Sequence, residues 1–257
     1  MKYACETAEN KVQAVMNPTK TILTILISFI WLNPAIADRE DCELNEVTFR
    51  MECKTIMTLS TGEGFDGPVV RRGKYAVGDL LIQHFEQTLK SGKYQFLEVS
   101  GEIGPDSTFF VKSLLQKFAG EIGYILLNSA GAAIKDGLSL AEAINGAGIE
   151  ALISSKGECA SSCAVAFLGA DNRYMFDGAT LSFHSPYYAL ENGYRCSEIK
   201  ELKTLFTRQL GARSGSFAYA RMMDFCGRNQ VWTLNKDAAD LMGMSNIRDV
   251  LTRQSDD

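Results

Sequence analysis

Three short stretches carry residue types that could do chemistry together. The first is Cys159-Ala160-Ser161-Ser162-Cys163-Ala164, two serines set between two cysteines. An apolar helical pattern, "ASSCAVAFLGA", begins there, so Ser161 or Ser162 falls in a first helical turn. Free amides and the helix dipole favour developing negative charge at that place. A serine there either caps the helix or serves as a nucleophile. The second stretch is "LLNSAGAAIKDG", in which a hydrophobic strand runs through Asn128-Ser129-Ala130-Gly131 into a helix. Gly131 permits a sharp turn with its amide exposed, and amides at a helix start are good anion donors. The third is "ATLSFHSPY", where His184 ends an alternating strand ahead of a Ser-Pro turn. The chain has only two histidines, and the other, His84 in "LLIQHFEQ", reads as a structural histidine on a helix. Taken singly, the three stretches read as a cap, a turn and a core histidine. Taken together they are the parts of an acyl-transfer site: a serine that attacks, a histidine that takes its proton, and amides that hold the oxyanion.

Such groups need elements to aim them, and the pattern along the chain supplies candidates. Residues 40–60 alternate and carry β-formers, which predicts one or two strands. "STGEGFDGPVVRRG" is a Gly-rich loop, and "VGDLLIQHFEQTLKSG" has apolar residues at helical spacing. Then strand and helix alternate: "YQFLEVSGEI" strand, "DSTFFVKSLLQKFAG" helix, "GYILLNSAG" buried strand, "KDGLSLAEAINGAG" helix, "EALISS" strand. "RYMFDGATLSFHS" reads as two short strands, and "CSEIKELKTLFTRQLG" and "SGSFAYARMMDFCG" as helices. The alternation predicts an α/β fold with a mainly parallel sheet covered by helices. All three chemical stretches fall at strand ends or strand-to-helix junctions, where sites in α/β sheets collect.

The chain of 257 residues is 46% hydrophobic and 22% charged, enough apolar material for a sizeable core. Its net charge of −5 and lack of Lys/Arg runs argue against nucleic acid or an anionic membrane surface as partner. Near the N-terminus, Lys20 precedes "TILTILISFIWL" and the small-x-small site Ala35-Ile36-Ala37. That is the pattern of a secretory signal peptide over residues 1–37, with Met16 as a possible true start. The apolar run is shorter than the ~20 residues that span a bilayer, so no stable span is expected once the signal is removed. Export to the periplasm or beyond would remove Cys5 and leave Cys42, Cys53, Cys159, Cys163, Cys196 and Cys226. In an oxidising compartment an even number suggests disulfides. Sequence alone does not choose among the pairings, although proximity favours Cys42–Cys53, Cys159–Cys163 and Cys196–Cys226. Without a Cys-x-x-Cys pair no metal site is expected, and no cofactor.

In order and spacing, the segment from Phe96 to Tyr187 resembles the proteolytic subunit of Clp protease and the wider Clp/crotonase superfamily. "LEVSGEI" looks like that family's strand ending in Gly-Glu-Ile, and "LLNSAGAAIKDGLSLAEAI" is similar to its Asn-Ser-Pro-Gly-Gly turn and helix. "CASSCAVAFLGA" looks like its Ala-Ser-Met-Gly-Ala motif, "LSFHSPY" like its Ile-His-Gln-Pro, and "LNKDAADLMGM" like its late Ala-x-x-x-Gly-Leu helix. The resemblance implies a spiral of ββα units over residues 76–250, after a β-hairpin and loop segment at 38–75 and before a polar tail at 251–257. It implies Ser161 as nucleophile, His184 as general base, and oxyanion amides from Ser162 and from Gly131 or Ala132. Ala130 stands in place of the turn proline and Ala132 in place of the second glycine. The family's aspartate falls at Val231, which leaves Asp224 or Asn229 as substitutes for the third member. The expected function is an exported serine hydrolase, a peptidase acting on peptide or protein, self-associating as its relatives do. The alternatives are a crotonase-like acyl-CoA enzyme, against which export and acidic charge speak, and a non-catalytic binding or assembly domain.

Overall fold

The computed structural model describes residues 39–45, 50–57, 69–89, 92–227 and 229–246. The expected signal segment 1–37 and the polar tail 251–257 lie outside the described residues. The first strands, β1 (Arg39–Asn45) and β2 (Arg50–Met57), pair antiparallel and place Cys42 opposite Cys53 in the register. They continue as a meander through β3 (Val69–Val77), β4 (Leu80–Leu89) and β5 (Gly92–Gly101). From β5 onward the connections become helical crossovers. Helix α1 (Pro105–Lys117) leads to β6 (Ile122–Asn128), α2 (Ile134–Ala147) leads to β7 (Glu150–Ile153), and β9 (Arg173–Met175) closes the sheet. The sheet has eight strands in the order β1-β2-β3-β4-β5-β6-β7-β9, and β5, β6, β7 and β9 run parallel.

Between β7 and β9 the chain leaves this sheet to form the site. Strand β8 (Glu158–Ala160) and the short helix α3 (Ser162–Phe167) precede β9. Strand β10 (Thr180–Phe183) then pairs parallel with β8 in a second, three-stranded sheet, completed by β13 (Trp232–Asn235). A hairpin of β11 (Tyr187–Leu190) and β12 (Gly193–Cys196) follows His184. Helices α4 (Lys200–Leu210), α5 (Ala212–Met223) and α6 (Lys236–Leu241) complete the chain, α6 capped by Asn235 Oδ1, which accepts from the Ala238 amide at 2.9 Å. The parallel, helix-covered half matches the α/β fold expected from the alternation of strands and helices.

The segment around Leu80–Leu89 does not form the expected helix. Its apolar residues fit the helical period and the strand period alike, and pairing along the whole of β5 decides for strand. Phe85 stacks on its register partner Phe96 with ring centroids 5.0 Å apart, while Leu80 and Ile82 point to the helix-covered face and its main core. His84 therefore sits on β4, buried against Phe118 with its Nε2 2.7 Å from Gln95 Oε1. Val69–Gly73, expected within a Gly-rich loop, belong instead to β3, which runs on across position 75; the rest of that stretch lies outside the described residues.

The packing around α3 rests on small residues. A Cβ on Gly137 of α2 would come within 2.5 Å of the Ser162 carbonyl oxygen and 2.8 Å of its Cα. Gly169, just past α3, is pressed as closely onto Ala141. Those contacts let α2 lie directly on the start of α3. Elsewhere a buried cation ties the fold together: Arg173, 1% exposed, donates to the carbonyls of Met244 (2.7 Å), Gly243 (3.1 Å) and Ala170 and to Gln209 Oε1 (2.9 Å). Burial pushes its pKa down to about 10, still well above neutrality.

Candidate active site

Strand β6 ends at Asn128, and the turn that follows is stitched to β8. The Ser129 amide donates to the Glu158 carbonyl at 2.8 Å, and the Ala160 amide donates to the Ser129 carbonyl at 2.9 Å. Gly131, at φ +85°, closes the turn against the next element. A Cβ there would meet the Ala160 carbonyl oxygen at 2.5 Å and the Ser162 nitrogen at 2.8 Å. Glycine is required both by the backbone angle and by this approach.

On the other side of the contact, Ser161 stands between β8 and α3 with φ 57° and ψ −120°. A non-glycine residue held at positive φ costs on the order of 1–3 kcal/mol and persists only where its surroundings impose it. Here they do: the Ser161 amide donates to the Ser182 carbonyl of β10 at 2.9 Å, and its own carbonyl accepts the first helical bond from Val165 at 3.2 Å. Ser161 occupies the cap position of α3, yet its hydroxyl makes no capping bond. The capping role open to it from sequence is therefore not the one it plays.

His184 follows the last residue of β10 and shares a cleft of about 780 Å³ with Ser161, Gly131 and Ala132. Its Nδ1 lies 2.9 Å from the carbonyl oxygen of Ser185. A carbonyl only accepts, so Nδ1 carries a proton, and in the neutral ring Nε2 then keeps its lone pair, the tautomer a general base needs. Ser185 is fully buried, and its amide donates to the Phe225 carbonyl at 2.9 Å, which fixes the segment to the end of α5. The Tyr187 ring packs 5.4 Å from the imidazole, and Tyr188, Val165, Ile199 and Met222 extend the cleft wall. In this conformation the Ser161 hydroxyl and the His184 ring face one cleft without a hydrogen bond between them.

The third member expected from sequence stands elsewhere. Asp224 ends α5, 63% exposed, and its carboxylate pairs with Arg221 at 3.1 Å, one helical turn back. Asn229 is exposed beyond it. The Ser185 carbonyl holds the imidazole where those side chains would have been needed. The two turn amides also differ from expectation. The Gly131 amide donates to Ser129 Oγ at 2.9 Å, and the Ala132 amide donates to Ser162 Oγ at 2.7 Å. The Ser162 side chain, to which the resemblance assigns no role, is fully buried and ties the turn to α3 across thirty positions. Of the three expected oxyanion donors, only the Ser162 amide is left without such a serine acceptor. The signal for these tethers was present in the sequence as three serines, but nothing in their spacing told which hydroxyl would face inward.

Two disulfides frame the cleft. Cys159 of β8 bonds Cys163 of α3, with Cα atoms 5.1 Å apart, directly around Ser161 and Ser162. Cys196, the last residue of β12, bonds Cys226 with Cα atoms 5.8 Å apart, holding the hairpin that carries Tyr187 and Tyr188. Both pairings are those favoured by proximity. Among the described residues, no three His, Cys, Asp or Glu side chains converge as a metal site would require, and no helix is long and apolar enough to cross a membrane.

No family model matches the chain. No curated protein matches it either. Among solved structures the chain is similar to a variant of 1510-N, described as a membrane-bound stomatin-specific protease, at 15% identity and a TM-score of 0.46 over 60% of this chain and 78% of the other. It is also similar to ClpP1 from Listeria monocytogenes, at 19% identity and a TM-score of 0.46 over 59% of this chain and 88% of the other.

Proposed function

We propose that the chain is an exported serine hydrolase, a peptidase in which Ser161 is the nucleophile and His184 the general base. The observation that carries this reading is the backbone of Ser161, held at positive φ on a strand-to-helix turn, uncapping, and opening into the cleft that also holds His184. In the reaction, Ser161 Oγ attacks the substrate carbonyl while Nε2 of His184 takes its proton, and the proton then passes to the leaving amine. The Ser162 amide faces the developing oxyanion, and a shift of the turn would add the Ala132 amide. A neutral carbonyl on Nδ1 orients the imidazole, in the place a carboxylate holds in a full triad. Export, with a mature chain beginning at Asp38, accompanies this reading and is supported by two disulfides that suit an oxidising compartment. N-terminal sequencing of protein from an exporting host should find Asp38. Self-association accompanies it as well, and sedimentation of the purified chain tests that.

The engagement of the Gly131 and Ala132 amides by serine hydroxyls favours a second reading, a binding domain that keeps the site's architecture without turnover. A fluorophosphonate probe on the mature protein separates the two. Hydrolase function requires a covalent adduct that is lost in Ser161→Ala; a wild type as inert as that variant leaves the binding domain.

A further inference from the structure

Residues Ala160, Ser161 and Ser162 are enclosed in a covalent loop. Cys159 is fixed by sheet on both sides: its strand pairs with Leu181 of β10, and it bridges Ser129 at the end of β6. Cys163 is the second residue of α3, a helix of only six residues with no side-chain cap. So short a helix does not hold its own first turn in place. Between the two cysteines lies Ser161 at φ 57°, an angle that a serine free to relax would leave. Gly131 and Gly137 press on the loop from the turn and from α2, but they only block motion toward themselves.

We propose that the Cys159–Cys163 disulfide is a positioning group for the nucleophile, holding the Ser161 backbone in the conformation that presents its hydroxyl to the cleft. This rests on the hydrolase reading of Ser161. Apart from the Ser161 amide bond to Ser182 and the Ser162 hydroxyl bond to Ala132, the brace is the link between the sheet-bound strand and the helix start, and it is the one that is covalent, so the turn between them cannot relax to negative φ without moving one of the two. A loop this short removes little entropy from the unfolded chain, so global stability is the smaller part of its effect, unlike the Cys196–Cys226 link thirty residues long. Both cysteines are 0% exposed and packed in the main core. A soluble thiol therefore does not reach the bond in the folded protein, which makes it a permanent brace rather than a switch.

The test is the pair variant Cys159→Ala with Cys163→Ala, and a serine pair at the same positions where the alanine pair does not fold. Ser161 labelling by a fluorophosphonate and kcat and KM on an ester substrate are measured beside the melting temperature. The proposal expects labelling rate and kcat to fall at least tenfold, KM to stay within about twofold, and the deficit to persist in the cold, far below the melting temperature. Labelling and kcat equal to wild type overturn it. A deficit that disappears on cooling also overturns it, since the brace would then only be keeping the protein folded. A wild type that takes no label overturns the hydrolase reading and this proposal with it; a wild type that labels while the variant labels equally well overturns the proposal alone.

Discussion

At the scale of single residues, the site is a set of hydroxyls and amides whose roles are set by what each one touches. Asp224, with its carboxylate on Arg221 and in solvent, has no path to His184. Asp224→Asn should change kcat/KM by less than about twofold, because an exposed pair of this kind contributes little even to stability. Ser162 differs from the bystander its position suggests. Its Oγ accepts from the Ala132 amide inside the fold, so Ser162→Ala removes a buried hydrogen bond and should lower stability by about 1 kcal/mol in urea unfolding. The same change frees the Ala132 amide beside the cleft. Ser161 labelling should therefore stay level or rise, and a fall would show that the tether is needed for catalysis.

The elements meet at contacts with no spare room. Helix α2 lies on the start of α3 through Gly137, and a methyl group there collides with the Ser162 backbone. Gly137→Ala should cost about 1–3 kcal/mol by overpacking, measured by chemical unfolding. Because the displaced atoms adjoin Ser161, its fluorophosphonate labelling rate should drop as well if it is the nucleophile proposed above. On the β3–β4 hairpin, His84 is enclosed by Gln95 of β5, Phe118 after α1, Arg72 of β3, and Glu86 and Glu121. Burial pushes its pKa below the ordinary 6.5, with Arg72 adding to the effect and Gln95, Glu121 and Glu86 opposing it. The unfolded chain therefore takes up the proton first. Stability is unaffected by His84 above pH 6.5 and is lost as pH falls through that value toward the folded pKa. Unfolding midpoints compared at about pH 7.5 and about pH 5.5 should show that decline, and His84→Leu should flatten it.

Across the whole molecule, the C-terminal part is fastened to the sheet by one buried guanidinium. Arg173 on β9 gathers the carbonyls of Gly243 and Met244 and the side chain of Gln209 on α4, and the Asn246 amide returns a bond to the Arg173 carbonyl at 3.0 Å. Arg173→Met keeps much of the volume but leaves several buried acceptors unpaired, each costing about 1–3 kcal/mol. The variant should unfold well below wild type, and limited proteolysis should cut first within 236–246.

How much of this could be read beforehand divides along a physical line. The parallel half, its helices and the junctions bearing Ser161, Gly131 and His184 were legible because strand-helix alternation and a glycine-bearing turn are local signals. The β4 strand was not, because its apolar spacing serves both periods and only the long pairing with β5 chooses between them. The small residues of Cys159–Ala164 told that something packs closely there; that it is Gly137 of α2 and the Gly131 turn is information from distant parts of the chain. The identity of the group behind His184 was hidden for a related reason. A backbone carbonyl exists at every position and leaves no mark in the residue types, so only the folded path that buries Ser185 against Phe225 could place it on Nδ1. Sequence by itself determined which side chains are available for the chemistry, and tertiary structure decided which hydroxyls face the cleft and which amides are already taken, because the Ala132 amide meets a hydroxyl thirty positions away and even the two-residue bond from Gly131 to Ser129 forms only where the folded turn aims them at each other.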